Sequence, residues 1–145
     1  MVKGLLISVV LLTAVGTASA APAPAMPGEN SCVRGEIIES TKSYKTYTIR
    51  CLVNSHDPAN GGDGNIRDIG FKARHGWVFD GDANPGNWIT PPSNRCNGAV
   101  YVTSQRTQDS RNILFTGRAE TTGSGNCAGL KEFTVTEIPE KKAKR

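Results

Sequence analysis

Two tryptophans, Trp77 and Trp88, flank a loop that is rich in carboxylate and amide side chains. The loop runs from residue 80 to residue 87 and supplies Asp80, Asp82, Asn84 and Asn87. Many sugar-binding proteins stack an exposed indole on the apolar face of a sugar, while carboxylates and amides hydrogen-bond its hydroxyls. The pattern predicts a ligand-binding site of the carbohydrate- or cell-wall-binding type at these six residues. The alternative is that both indoles belong to the core or to hinges, as large apolar side chains usually do.

The same loop begins like a calcium-binding loop, with acidic or amide oxygens at alternate positions, namely Asp80, Asp82 and Asn84. A complete calcium loop also needs Gly at its sixth position and Glu at its twelfth, where this sequence has Pro85 and Pro91. Asp, Gly and Asn are also ordinary turn residues. We therefore predict a plain turn here, with no metal ligands and no cofactor.

A secreted ribonuclease or another small hydrolase would need histidine beside carboxylate and arginine side chains. The chain has only His56 and His75, and predicted strands carry Glu36, Glu39 and Arg50. No spacing links these residues, and no Gly-x-Ser-x-Gly sequence is present. We predict no catalytic residues and a non-enzymatic protein, with a small ribonuclease or hydrolase as the alternative.

The four cysteines, Cys32, Cys51, Cys96 and Cys127, predict two disulfides. An even number of cysteines in an exported chain indicates a disulfide framework, and no two of them have the close spacing that zinc sites need. Three pairings are open. We favour the nested one, Cys32–Cys127 with Cys51–Cys96, because Cys32 and Cys127 bracket the predicted domain and a bridge between them would tie its ends together.

The N-terminus has the three parts of a secretory signal peptide. Lys3 supplies the positive charge, residues 5–15 form an apolar run, and Ala18-Ser19-Ala20 provides the small residues of a cleavage site. The apolar run is shorter than the roughly 20 residues that span a membrane. We predict that residues 1–20 are removed and that the protein is secreted, extracellular and without a membrane span.

Composition divides the rest of the chain into a Pro/Ala-rich leader (21–31), a single β domain (32–139) and a basic, disordered tail (140–145). The net charge of +4 comes mainly from the tail. Five of the 17 basic residues are Lys3 and the last four cations, so 12 remain in the body against 13 acidic residues. A nearly neutral body lacks the basic face that nucleic-acid binding needs, so we predict no nucleic-acid partner.

Seven short runs rich in β-branched and aromatic residues are separated by Gly, Pro, Asn and Asp clusters. They cover residues 33–38, 44–53, 66–73, 75–79, 99–103, 112–118 and 132–138. In the last run, Thr134, Thr136 and Glu137 are predicted to separate inward-facing apolar residues. One helical turn near residues 105–111 is the only helix considered. The fold class predicted is all-β, a compact antiparallel sandwich or barrel of about six to eight short strands stapled by two disulfides.

An export signal, an Ala-Pro-Ala-Pro leader, a β-rich domain and four cysteines together resemble the small secreted proteins of filamentous fungi, including plant-pathogen effectors and elicitors. Two segments are similar to the ends of the domain in the Alternaria major-allergen family of β-barrel elicitors. These segments are Ser31-Cys32-Val33 and Asn126-Cys127-Ala128-Gly129, the latter leading into the final strand. The resemblance implies an effector or elicitor of a plant response, whose partner is a host extracellular or cell-surface protein or a cell-wall polysaccharide.

Overall fold

Eight β-strands make up the regular structure of the described residues, which in the computed structural model are 25–55, 63–93, 96, 99–121 and 127–141. The strands are β1 (Ser31–Ser40), β2 (Lys45–Ser55), β3 (Gly64–Lys72), β4 (Trp77–Phe79), β5 (Asn87–Thr90), β6 (Val100–Arg106), β7 (Asn112–Ala119) and β8 (Cys127–Pro139). The predicted signal peptide, residues 21–24 of the leader, His56 and the last four residues of the tail lie outside the described residues.

The strands form two antiparallel sheets. The larger sheet has the order β1-β2-β8-β4, and β5 pairs with β8 on the same side as β4. The smaller sheet has the order β3-β7-β6. The longest ladder joins β2 to β8 from the pair Lys45–Glu137 to the pair Ser55–Cys127. The predicted all-β class with two disulfides is confirmed, and the two sheets face each other as a sandwich.

The core lies between the sheets, where alternate residues of each strand point inward. On β7 the buried positions are Ile113, Phe115, Gly117 and Ala119, at the two-residue period of a half-buried strand. Phe115 connects the layers, because its ring meets Phe71 of the smaller sheet at 5.7 Å and Phe133 of the larger sheet at 5.0 Å, both edge to face. Such ring pairs add to the free energy gained by burial.

The disulfides join Cys32 to Cys51 and Cys96 to Cys127, so the predicted nested pairing is wrong. The cause is the β1–β2 hairpin, whose register places Cys32 directly opposite Cys51 with their Cα atoms 4.1 Å apart. Cys127 begins β8 opposite Ser55, so it lies four residues along the β2–β8 ladder from the position of Cys51. The ends of the domain are therefore held by strand pairing, and each disulfide closes a shorter loop.

The predicted helical turn near residues 105–111 is a β-hairpin connection between β6 and β7. The Thr107 amide donates to the Asn112 carbonyl at 2.9 Å, and the Asn112 amide donates to the Thr107 hydroxyl at 3.1 Å. Asp109 accepts hydrogen bonds from the Thr107 hydroxyl and the Arg111 amide, and these bonds lower the pKa of its carboxyl group. Short side-chain-to-backbone bonds of this kind favour turns over helices.

Within the described residues, no helix is long and apolar enough to cross a membrane.

Candidate functional site

The predicted loop interrupts a single edge strand that runs along β8. After β4, the Asp80 amide donates to the Thr136 carbonyl at 2.8 Å. Asn84 then makes two bonds to Thr134: its amide donates to the Thr134 carbonyl at 3.1 Å, and its Oδ1 accepts from the Thr134 amide at 2.7 Å. The Asn84 side chain thus takes the place of a backbone acceptor for the Thr134 amide. The chain then pairs with β8 again as the strand β5. Residues 81–83 bulge outward between these two anchors.

The bulge and the edge strand β6 enclose a groove of about 340 Å³, which we call the loop groove. Its lining consists of Asp82, Ala83, Asn84, Pro85, Val102, Thr103, Ser104, Lys131 and Phe133. The rim is supplied by carboxylate, amide and hydroxyl groups, and the Phe133 ring contributes apolar surface. Asp82 also lies 3.9 Å from the Arg106 guanidinium, so its carboxylate is held near β6 by an exposed ion pair.

Lys131 is the one cation among the described residues that line the loop groove. Its Nζ crosses from the larger sheet to β6 and donates to the Val102 carbonyl at 3.0 Å. The same ammonium lies 5.3 Å from the ring centroids of Trp88 and Phe133. Burial lowers the pKa of this ammonium. The Lys131 ammonium is held by one carbonyl and two rings and is partly desolvated. Its N–H groups that do not bond Val102 can donate to a ligand.

Trp88 lies on β5 opposite Lys131 and is half-buried. Its ring rests on Gly129, where an added Cβ would come within 2.6 Å of the indole carbon Cζ3. The indole also packs against the core. Trp88 therefore lies beside the groove-lining Lys131, outside the groove lining itself, and is not a flat, fully exposed platform.

Trp77 lies far from Trp88, so the two indoles do not form one binding surface. Trp77 is opposite Pro139 and Trp88 is opposite Lys131, a separation of about 26 Å along β8. The structure brings Asp82 and Asn84 into the groove beside Trp88. It leaves Asp80 and Asn87 exposed and outside the groove lining, and it places Trp77 in a different cleft.

That second cleft, which we call the basic cleft, has a volume of about 320 Å³. It is lined by Lys72, Ala73, Arg74, His75, Trp77 and Arg111. The Arg74 guanidinium stacks on the Trp77 ring at 3.7 Å from its centroid. Arg111 donates from Nη2 to both carboxylate oxygens of Glu140, at 2.7 and 2.8 Å. Both guanidinium groups are therefore fixed by neighbours.

A buried carboxylate lies behind the basic cleft. Glu137 of β8 has no exposed surface, and its Oε1 accepts from the Arg74 amide at 2.7 Å. Neither its Oε2 nor the buried Tyr47 hydroxyl has a hydrogen-bond partner within the described part of the chain. Burial is the main cause that raises the pKa of Tyr47 far above its ordinary value, and the Glu137 carboxylate raises it further. This polar pair is a structural element of the interior that solvent does not reach.

The hydrolase candidates that the structure describes, which exclude His56, do not meet in one place. Arg50 pairs with Glu132 at 2.7 Å on the larger sheet, and Glu39 hydrogen-bonds Tyr44 in the β1–β2 hairpin, which raises the pKa of that hydroxyl. Glu36 is exposed on β1 and lines neither cleft. His75 alone lies in a cleft, next to arginine.

Lys131, Arg74 and Glu137 were missed by sequence reasoning. Lys131 and Glu137 share the parity of Phe133 and Val135 on β8, so the two-residue period itself would have placed both of them inward. For Arg74 and Arg111 no local signal exists, because they are brought together by two different turns. No group of three or more metal-binding side chains occurs among the residues that the structure describes.

No protein-family model, no curated protein and no solved structure matches this chain, so its function has to be inferred from these two clefts and from the sequence.

Proposed function

We propose that the protein is exported and acts outside the producing cell by binding, as an effector or elicitor that a plant host perceives. The observation that carries the proposal is that all four cysteines are paired in two disulfides. Disulfides form and persist in oxidising compartments, which agrees with the signal-like N-terminus. The resemblance to small secreted fungal proteins supplies the plant host as the expected responder.

Recognition would use a surface that the disulfides keep rigid. The Cys96–Cys127 disulfide joins the segment before β6 to the start of β8. Both β6 and β8 contribute residues to the lining of the loop groove. Two apolar side chains on the bordering strands are exposed, Ile89 of β5 by 46% and Tyr101 of β6 by 41%. A partner can bury these side chains without first ordering the loop, because a rigid surface loses little conformational entropy on binding.

The test is infiltration of the purified, oxidised protein into leaves, scored for an oxidative burst and for cell death. A reduced and alkylated sample and a Cys96→Ala/Cys127→Ala variant serve as matched controls. We expect a response to the oxidised protein and a much weaker one to both controls. A response of equal size to the reduced sample would show that the folded surface is not what the host perceives, and no response in several plant species would contradict the elicitor function.

A second candidate function, binding of a cell-wall polysaccharide, is favoured by the chemistry of the loop groove. Carboxylate, amide, hydroxyl and ammonium groups surround it, and the Phe133 ring adds apolar surface. Sugars present hydroxyl groups and apolar faces that suit such a lining.

Co-sedimentation with chitin, glucan and cellulose tests this second function. Lys131→Met keeps the packed stem and removes the ammonium, and Lys42→Met removes the same charge from an exposed turn. We expect the first variant to bind about tenfold more weakly, since hydrogen bonds from a charged donor contribute about 1.5–3 kcal/mol, and the second to bind like the native protein. Equal loss in both variants would show that retention is non-specific.

A further inference from the structure

We propose that the basic cleft is a binding site for a phosphate group, carried as inorganic phosphate or as a phosphate monoester. The cleft collects basic side chains from two separate parts of the chain. Lys72 ends β3, Arg74 and His75 follow it in the turn before β4, and Arg111 precedes β7. Their convergence is a product of the fold, since the β3–β4 and β6–β7 turns meet beside the end of β8.

The two guanidinium groups are oriented before any ligand arrives. Arg74 lies flat on the Trp77 ring, with its Nε 3.9 Å from Glu137 Oε1. Stacking covers the face of a guanidinium and leaves its N–H edge for an oxyanion. Arg111 uses Nη2 for Glu140 and keeps its other N–H groups. Planar N–H edges match phosphate oxygens two at a time.

The charges in the basic cleft do not cancel. Glu137 and Glu140 balance Arg74 and Arg111, but the Lys72 ammonium has no ion-pair partner within the described residues. The Arg34 guanidinium lies at the border of the cleft, outside its lining, because its Nη2 donates to the Lys72 carbonyl at 2.6 Å. The Asp109 carboxylate interacts electrostatically with Arg111 and offsets one of these positive charges. These groups leave a small excess of positive charge at the cleft, which favours an anion such as a phosphate group, which carries about −1.5 to −2 at neutral pH.

A volume of about 320 Å³ accepts a phosphate with a small substituent, and an extended polyanion would project from it. Arg74 covers one face of Trp77, so stacking of a nucleobase on that face is blocked. The site therefore recognises the phosphate group itself. Since the loop groove lies at the other end of β8, phosphate binding and groove binding can be lost separately.

The test is titration of the purified, oxidised protein with inorganic phosphate at low ionic strength, followed by the fluorescence of Trp77 in a Trp88→Phe background. A parallel arm measures co-sedimentation with phosphatidylcholine vesicles with and without phosphatidic acid, which carries a phosphate monoester. Lys72→Gln and Arg111→Gln alter the cleft. Their matched controls are Lys42→Gln in the β1–β2 turn and Arg118→Gln, whose guanidinium pairs with Asp63 and Glu120 elsewhere. Thermal unfolding shows that each variant is folded.

We expect saturable phosphate binding that each cleft variant weakens about tenfold and that each control leaves within twofold of the native protein. Binding to phosphatidic acid vesicles without binding of free phosphate would also support the site and would identify a lipid as the source of the phosphate. The absence of saturable binding in both arms would overturn the proposal, and so would equal weakening by the cleft variants and their controls.

Discussion

Removal of one disulfide at a time gives a quantitative test of the cysteine pairing. Cys32 and Cys51 are 19 residues apart in sequence, and Cys96 and Cys127 are 31 residues apart. A disulfide restricts the unfolded chain, and the restriction grows with the logarithm of the loop length. For loops of these lengths the chain-entropy relation gives about 3.2 and about 3.7 kcal/mol at 25 °C. We expect the two matched double variants to lose these amounts of unfolding free energy, plus a smaller cost for the void at the buried sulfurs.

The assay combines guanidinium-induced unfolding with titration of free thiols in the unfolded protein. Cys32→Ala/Cys51→Ala removes both members of one bridge, so we expect no free thiol. Cys32→Ala/Cys127→Ala removes one member of each bridge and serves as the mismatched control, which we expect to contain two free thiols. The reverse result, two thiols in the matched variant and none in the mismatched one, would refute the pairing and the hairpin register that explains it.

Three further variants test the interrupted edge strand and the interior. Asn84→Ala should lower the unfolding free energy by about 1 kcal/mol in chemical denaturation, because the Thr134 amide loses the Asn84 Oδ1 as its acceptor. Asn87→Ala should change the unfolding free energy little, and equal losses in the two variants would contradict the anchoring role. Gly86→Ala should lower the unfolding free energy by about 2 kcal/mol more than Gly81→Ala. Both glycines have a positive φ, but only at residue 86 would the added Cβ clash with the Phe133 ring. Equal melting temperatures of the two variants would contradict this. Tyr47→Phe should remove a loss of stability above pH 10. The folded protein keeps the Tyr47 proton that the unfolded chain releases, so native stability falls by up to about 1.4 kcal/mol per pH unit, and identical pH profiles would contradict the raised pKa.

Strand positions could be predicted from the sequence because most strands have one buried face. On β7 the inward residues recur at every second position, and turn residues bound the run on both sides, so the period alone identifies the element. The same holds for β2, whose buried residues Tyr47, Ile49, Cys51 and Val53 alternate with less buried ones. Each of the seven predicted runs overlaps a strand of the structure.

The strand β5 could not be predicted, because the residues around it have turn composition. Asn84-Pro85-Gly86-Asn87 leads directly into it, and its four residues are mostly exposed. Its extended state depends on pairing with residues 130–132 of β8, which is a contact between parts of the chain distant in sequence. β8 itself begins at Cys127 and not near residue 132, since Gly129 has no strand preference and is held by pairing with Val53.

The structure separates the residues of the predicted binding site. Asp82 and Asn84 line the loop groove, Trp88 lies outside its lining beside Lys131, and Trp77 lies in the basic cleft. Glu137 was assigned to the polar face of its strand by residue type, whereas the ladder parity buries it. A charged residue on an inward position is stabilised only by partners that the fold supplies, here the Arg74 amide and guanidinium, and those partners are invisible in a local pattern.

Export as an oxidised protein is the property on which both proposed functions depend. The most direct measurement is expression of the full chain with its own N-terminus in a secreting fungal host, followed by N-terminal sequencing and non-reducing peptide mapping of the protein in the medium. We expect a mature protein that begins at Ala21 and contains the Cys32–Cys51 and Cys96–Cys127 bridges. A protein that stays in the cells with Met1 in place, or that carries free thiols, would contradict extracellular action.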